Sequence, residues 1–411
     1  MSYFICIPAE THCCKIENAL ATFCRPLFRE NTTLSEIPGK LAVVTRSTTA
    51  HSQVFVHRHI EQLFDGNTVV VASSTKLKQV SGRLTFFYKR HYLSQLLYSL
   101  GIDTTLLDMF DANAERRRLQ QFLDDNNVTH IIMEFGYVAA ETGRQLVKCG
   151  RPVYCMFRGN DGSGMLRKAR YRWMLQRIVP QLAGIISVSQ SLIDNLAACG
   201  ISHPNTIVVP SGTDTQHFRP GTPKPGYCLS VGRMVRKKSP EKLLQAFAKV
   251  AAIHDLHLEI IGGGSELTKA KKLAGDLGIA NRVIFSGRLP HTRVLEKMRT
   301  AMMYLQHFQT TANGDTEGMP GVIQEAMACG LPVVTTRHAG IPDHVSHGKN
   351  GMLVEPGDIS AFADAISALC ASPALRKKLG NAARKYAVDE LDYRISHQRI
   401  HEFMKAAPHG S

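Results

Sequence analysis

The 411-residue chain contains no run of about 18 uncharged apolar residues, so no segment is expected to span a bilayer. Its start, MSYFICIPAETHCCKIENAL, lacks both a basic leading region and a small-residue cleavage site, and no signal peptide is read there. No C-x-x-C pair occurs among the ten cysteines, which argues against a zinc ribbon or a redox dithiol. Free, mostly buried thiols in a reducing cytoplasm are the expectation. Acidic residues are scarce relative to basic ones, 34 against 49, for a formal net charge of +15. The deficit is even: 17 acidic against 24 basic up to Pro220, and 17 against 25 after it. Such a surplus bears on partners rather than on fold.

What is present is enough for two cores. The chain is too long for one ordinary hydrophobic core, so two domains of roughly 200 residues are expected. Residues 1–38 read as an extension before the first regular unit. Apolar runs at Lys40–Arg46, Thr68–Ala72, His130–Met133, Pro152–Phe157 and Gly184–Val188 read as strands. Helix-period stretches lie between them, at His57–Phe64, Arg116–Leu123 and Leu192–Ala198. The second half repeats the pattern. Strands are expected at Tyr227–Val231, Leu256–Ile261, Arg282–Ser286, Ala301–Leu305 and Leu331–Thr335, and helices at Pro240–Ile253, Glu266–Leu277, Val322–Ala328, Ile359–Ala371 and Arg376–Val388. Strands alternating with helices imply parallel βαβ units, hence an α/β chain. The stretch FRPGTPKPG (218–226), with three prolines, reads as a stiff linker. The division is therefore an N-terminal Rossmann-like domain over 39–217, the linker, a C-terminal Rossmann-like domain over 227–385, and a C-terminal helix in 386–411 that can pack back on the first domain. Ligands usually bind at the carboxyl ends of such strands.

Three stretches carry candidate chemistry. In GDTEGMPGVIQEAMACG (Gly314–Gly330), Glu317 precedes a Gly-Met-Pro-Gly turn and Glu325 follows eight residues later, inside the next helix. Pro320 suits a helix start and Gly330 its end. Free amides at that start would hold phosphate, and the glycines at 318 and 321 allow close approach of a ligand. Two acids beside an anion site make sense if they bind hydroxyls, as a sugar nucleotide requires. The alternative is an ordinary loop–helix turn with surface acids. The loop VGRMVRKKS (Val231–Ser239) places Arg233 and Lys238 beyond a strand end, where fixed cations would stabilise a phosphate leaving group. Gly262–Gly264 reads as a tight turn lining the cleft. A further basic cluster, Arg167, Lys168, Arg170, Arg172 and Arg177, is interleaved with Leu166, Tyr171, Trp173, Met174 and Leu175. It suits an anionic membrane surface better than nucleic acid, or else is a solvated face with a buried apolar side.

Taken in order, these motifs resemble the family 4 glycosyltransferases, which have the GT-B fold: two Rossmann-like domains facing each other across a cleft. VGR…KK and E-x7-E are matched by Arg233, Lys238, Glu317 and Glu325. VPSGTD…FRP (Val209–Pro220) and GKNGMLVEPGD (Gly348–Asp358) extend the match, which is dense after residue 184 and thin before it. The resemblance implies retaining transfer of a hexose from a nucleoside diphosphate sugar, with UDP-sugar favoured and GDP-sugar the other donor left open, to a glycan or lipid-linked acceptor, with no metal and no cofactor beyond the donor. It implies catalytic roles for Arg233, Lys238 and Glu317. Gly232, Arg288, Leu289, Gly318, Met319, Pro320, Gly321, Val322 and Glu325 would bind donor. Glu134, Arg158 and Asp161 would face the acceptor. IIMEFG (Ile131–Gly136) and VYCMFRGNDGS (Val153–Ser163) resemble a branch working on exported polysaccharides, but Arg158 stands where relatives usually carry histidine. The alternative is a GT-B protein that binds a sugar nucleotide without transfer. Expected partners are the nucleotide sugar, the acceptor and an anionic membrane surface, not nucleic acid, with the protein cytoplasmic or peripheral on the inner face. A sugar-nucleotide epimerase is a more distant alternative.

Overall fold

A computed structural model describes residues 39–46, 54–72, 83–87 and 107–406. The expected extension over 1–38 lies outside the described residues. The first lobe holds strands β1 (Lys40–Thr45), β2 (Thr68–Ala72), β3 (Thr85–Phe87), β4 (Val128–Glu134), β5 (Val153–Phe157), β6 (Gly184–Ser187) and β7 (Thr206–Val208). They pair in parallel in the order β3-β2-β1-β4-β5-β6-β7. Helices α1 (Val54–Gln62), α2 (Leu107–Asp125), α3 (Gly136–Leu146), α4 (Ala169–Ile178) and α5 (Gln190–Ala198) connect them. β1, β2 and β5 are buried almost throughout, as apolar strands covered by helices on both faces must be.

The second lobe repeats the plan with β8 (Tyr227–Val231), α6 (Pro240–Ala251), β9 (His257–Ile261), α7 (Leu267–Asp276), β10 (Val283–Gly287), α8 (His291–Thr300), β11 (Met303–Gln306), α9 (Gly321–Ala328), β12 (Val333–Thr336), β13 (Met352–Val354) and α10 (Ile359–Ala371). Its parallel order is β10-β9-β8-β11-β12-β13. Helix α6 shows why these segments form: Pro240 opens it, and Leu243, Leu244, Phe247 and Val250 recur at helical spacing and are buried. Each such side chain contributes roughly 1.5–3 kcal/mol.

Helix α11 (Pro373–Glu390) stays with the second lobe, and α12 (Tyr393–Ala406) returns to the first. There the Tyr154 hydroxyl donates to the Met404 carbonyl at 3.0 Å, and the rings of Tyr154 and Phe403 meet edge-on at 5.8 Å. The outgoing and returning chains run side by side. The Thr213 amide donates to Leu391 O (2.8 Å), the Tyr393 amide donates to Thr213 O (3.0 Å), and the Thr215 hydroxyl donates to the Asp392 carboxylate. The proline-rich stretch after them lies on the second lobe: Phe218 is fully buried in its core, and the Lys224 amide donates to Thr300 O at 2.8 Å.

Candidate functional site

In the second sheet the strand order reverses between β8 and β11, and the loops leaving these two strands form the site, as expected at a topological switch point. The β8 loop is held by backbone. Gly232 N donates to Ile261 O and Met234 N to Gly263 O, both at 2.9 Å. A Cβ on Gly262 would strike Gly232 O, and one on Gly264 would strike Met234 O. The triple glycine therefore serves close packing of two loops. A single helical turn, Arg236–Lys238, follows. It ends at Ser239 in the left-handed region (φ 40°), which costs a non-glycine residue energy and is fixed by α6 starting at Pro240.

Lys238 is turned inward. Its ammonium lies 3.3 Å from Glu317 Oε1 and 4.5 Å from the centre of the Phe308 ring, and Gln306 Nε2 donates to its carbonyl at 3.1 Å. Lys237 is also buried; its Nζ donates to Asp315 Oδ1 at 3.1 Å and lies 3.5 Å from Glu317 Oε1. Burial alone would raise the Glu317 pKa, but Lys238, Lys237 and Arg233 outweigh it and hold the carboxyl below its ordinary value. For Lys238, burial lowers the pKa, aided by the neighbouring Lys237 and Arg233 and opposed by Glu317. Arg233 is exposed, and its guanidinium has no hydrogen-bond or ion-pair partner among the described residues. Lys237, Lys238 and Arg233 thus stand against two carboxylates, Asp315 and Glu317, which leaves one positive charge in excess, carried by the unpaired Arg233 and suited to an anionic group.

The Glu317 loop continues into Gly318, Met319 and Pro320 and opens α9 at Gly321. Met319 and Ile323 are buried in the second core, which fixes the helix start, while Gly321 is exposed and Val322 partly so. The first amides of α9 have no intrahelical partner, the ordinary condition of a helix N-terminus. Glu325 sits one turn further, with Oε1 3.3 Å from His291 Nε2 at the start of α8, two residues after Leu289. The bond to Glu325 raises the His291 pKa. Glu317 N approaches His338 Nε2 at 3.5 Å, and burial depresses His338 to about 4. His338 is therefore neutral.

The first lobe meets this turn directly. A Cβ on Gly318 would strike the Arg158 carbonyl and the Val188 side chain, and one on Gly340 would strike Ser189. The Thr316 amide donates to Ser163 Oγ at 3.2 Å and the Gln190 amide to Asp343 Oδ2 at 3.1 Å. The cleft is closed at Gly318.

Arg158, Glu134 and Asp161 are placed differently from a solvent-facing acceptor wall. The Arg158 Nε and Nη2 donate to Glu134 Oε2 at 3.1 and 2.8 Å, Nη1 donates to Ser211 Oγ at 2.8 Å, and the guanidinium lies 3.8 Å from the centre of the Phe55 ring. Glu134 is completely buried and shares its other oxygen with His59 Nδ1 at 2.5 Å. Burial opposes its ionisation, yet Arg158 and His59 hold its pKa down at about 2. Asp161 is buried and accepts from the amides of Gly136, Arg158 and Gly159 at 2.9–3.1 Å, which shapes the loop after β5. The carboxylates of Glu134 and Asp161 are spent on internal partners and the Arg158 guanidinium is buried with them, so only the Arg158 backbone carbonyl meets the Gly318 turn.

Residues 213–386 match the model of the glycosyl transferases group 1 family. The match falls on the second lobe. A GDP-mannose-dependent α-(1-6)-phosphatidylinositol monomannoside mannosyltransferase of Mycolicibacterium smegmatis is 32% identical over 48% of this chain and 55% of its own. The chain thus spans little more than half the length of that relative. The amylovoran biosynthesis glycosyltransferase AmsK of Erwinia amylovora is 26% identical over 67% of this chain and 69% of its own. Among solved structures, HepE of Anabaena in complex with UDP superposes with a TM-score of 0.71 and 17% identity, over 90% of this chain and 100% of that one. The fold is GT-B.

Within this lobe the structure brings together Arg233, Lys238, Glu317 and the Gly318–Val322 turn, with Glu325 one helical turn away and Arg288 and Leu289 on the loop that leads to its partner His291. Sequence reasoning passed over Lys237, His291 and His338. Lys237 was visible as the neighbour of Lys238 in RKK, but nothing in the sequence says that both lysines turn inward. His291 and His338 come from separate segments and are joined to the site only by the fold. No helix among the described residues is long and apolar enough to cross a membrane.

Proposed function

We propose that this chain is a retaining glycosyltransferase that moves a hexose from a UDP-sugar to a glycan or lipid-linked acceptor. The observation that carries the proposal is the convergence of Lys238 and Arg233 on the carboxylate that begins the turn into α9. In this reading the diphosphate lies between those cations and the free amides of α9, and its developing charge is stabilised as the glycosidic bond breaks. Glu317, already ionised, accepts hydrogen bonds from donor-sugar hydroxyls. Glu325, with His291 behind it, holds the ribose. The acceptor hydroxyl attacks the same face that the leaving phosphate departs from, and a phosphate oxygen takes its proton. The two acids position the donor and do not act as a glycosidase pair.

Because the second lobe supplies fixed cations where the leaving group departs, the chemistry calls for no metal or further cofactor. The non-catalytic alternative, which rested on Arg158 replacing histidine, is not favoured, because the relatives that the chain resembles are glycosyltransferases. A GDP-sugar donor is the second reading, favoured by the GDP-mannose dependence of the mannosyltransferase relative. Incubation with matched UDP- and GDP-sugars and a panel of glycan and polyprenyl-linked acceptors, with NMR of the product's anomeric centre, tests the proposal. An α-linked product from an α-donor is expected; an inverted linkage, or turnover of neither donor class, would refute it.

Peripheral attachment to the inner membrane face is part of the same proposal. Trp173 on α4 is half exposed, with the Arg177 guanidinium 4.9 Å from its ring centre. Equal recovery in the supernatant with and without anionic liposomes would dispose of it.

A further inference from the structure

Beside the site lies a cavity of about 310 Å³ lined by Val235, Arg236, Lys237, Thr311, Ala312, Asn313 and Asp315. Neither Arg233 nor Lys238 lines it, so it is distinct from the proposed diphosphate cradle. It is nonetheless adjacent: its wall residue Lys237 donates to Asp315 on one side and lies 3.5 Å from Glu317 on the other. A ligand in this space would stand next to the sugar that Glu317 is proposed to hold. The volume is at the small end for ligand pockets, which suits a single sugar unit.

The charge of the cavity has a definite sign. Lys237 is neutralised by Asp315. Arg236 is not: its side chain is 72% exposed, and its ion pair with Glu266 is long, at 3.8 Å. From the opposite lobe Arg167 reaches across the seam, its Nη1 donating to Ala312 O at 2.5 Å. It lies flat on Gly314, where a Cβ would meet its Nε at 2.7 Å. Its other N–H groups have no hydrogen-bond partner among the described residues. Asn313 completes the set. Its Oδ1 accepts from the Thr311 hydroxyl and from the Asp315 amide at 3.3 Å, so its amide nitrogen is left to donate. One guanidinium fork and one amide donor on the wall of a sugar-sized space, with the Arg167 guanidinium bonded behind its wall residue Ala312, match a carboxylate or phosphate ester.

We propose that this cavity is an acceptor subsite for an anionic sugar unit, one bearing a carboxylate or a phosphate ester, held by Arg236 and Asn313, with Arg167 behind Ala312, beside the donor sugar. The inference rests on the transferase reading and adds the chemical class of its acceptor.

The test uses the full chain saturated with UDP and three probes followed by NMR titration: methyl glucoside, methyl glucuronide and glucose 6-phosphate. Binding of at least one anionic probe about tenfold tighter than the glucoside is expected, with the carboxylate and phosphate arms distinguishing which anion is preferred. Arg236→Gln should abolish that preference without changing the affinity for UDP, and Arg167→Gln should weaken it. Equal binding of all three probes by the wild type would overturn the proposal, as would a preference that survives Arg236→Gln. Displacement of the anionic probes by UDP would also overturn it, because it would place them in the diphosphate cradle. Loss of discrimination between UDP-glucuronic acid and UDP-glucose in Arg236→Gln would do the same, assigning the cavity to the donor. Failure of the protein to bind any nucleotide would count against the transferase reading instead, and the probe comparison without nucleotide would still decide the cavity's preference.

Discussion

The ammonium of Lys238 lies 3.3 Å from the Glu317 carboxylate, although the two residues leave different strands of the second sheet. Replacement of Lys238 by methionine keeps the stem beside Phe308 but removes the charge proposed to face the leaving group. Turnover is expected to fall by about 10²–10³-fold, the usual consequence of deleting one preorganised electrostatic partner. Glu317→Gln should preserve affinity for free UDP and impair turnover of the complete donor. Calorimetry with UDP beside steady-state kinetics separates the two, and equal loss of UDP binding in both variants would contradict the assigned roles.

Arg158 and Glu134 form a buried pair, so deleting one partner leaves an uncompensated charge. Arg158→Ala should destabilise the protein by about 3–5 kcal/mol, read from urea unfolding. Arg158→His, which retains a hydrogen-bonding ring, should lose less. A change below about 1 kcal/mol in the alanine variant would show that Glu134 finds other compensation.

His338 links stability to pH. Burial holds its folded pKa at about 4, against an ordinary histidine value of 6.5. Its contribution is complete above pH 6.5. Below that, the unfolded chain takes up a proton that the folded chain refuses, so stability is lost as pH falls towards 4, by on the order of 3 kcal/mol. His338→Gln should flatten the unfolding midpoint over this range. An unchanged pH profile would mean that His338 is protonated in the folded state.

Gly318 sits where the lobes touch, against the Arg158 carbonyl and Val188. Gly318→Ala should fold normally and rest in a more open arrangement, with a larger radius of gyration by small-angle scattering and weaker response to UDP. Identical scattering from variant and parent would place the contact elsewhere in solution.

Much of this was legible in the sequence because the signals were local. The runs KLAVVT, TVVVA and VYCMF announce buried parallel strands, and E-x7-E with VGR…KK picks out residues that the fold brings together. The edge strands β3, β7 and β13 were missed. Each has three residues, too few for a period to register, and β7 is only partly buried. Glu134 and Asp161 read as acceptor-facing acids because a sequence shows that a carboxylate is present, not which partners consume it. The proline-rich 218–226 segment read as the joint between lobes, whereas Phe218 anchors its start inside the second core and the Thr213–Asp392 pairing joins the two crossings. A contact 179 residues apart in sequence has no local trace.

That pairing limits how the molecule can move. Two strands of chain crossing side by side and bonded to one another behave like the leaves of a door hinge, favouring swing about one axis over twist or separation. A cut after Asp392 would then release more than a tail: it would leave the Tyr154 face of the first sheet uncovered and the two halves joined by a single flexible tether.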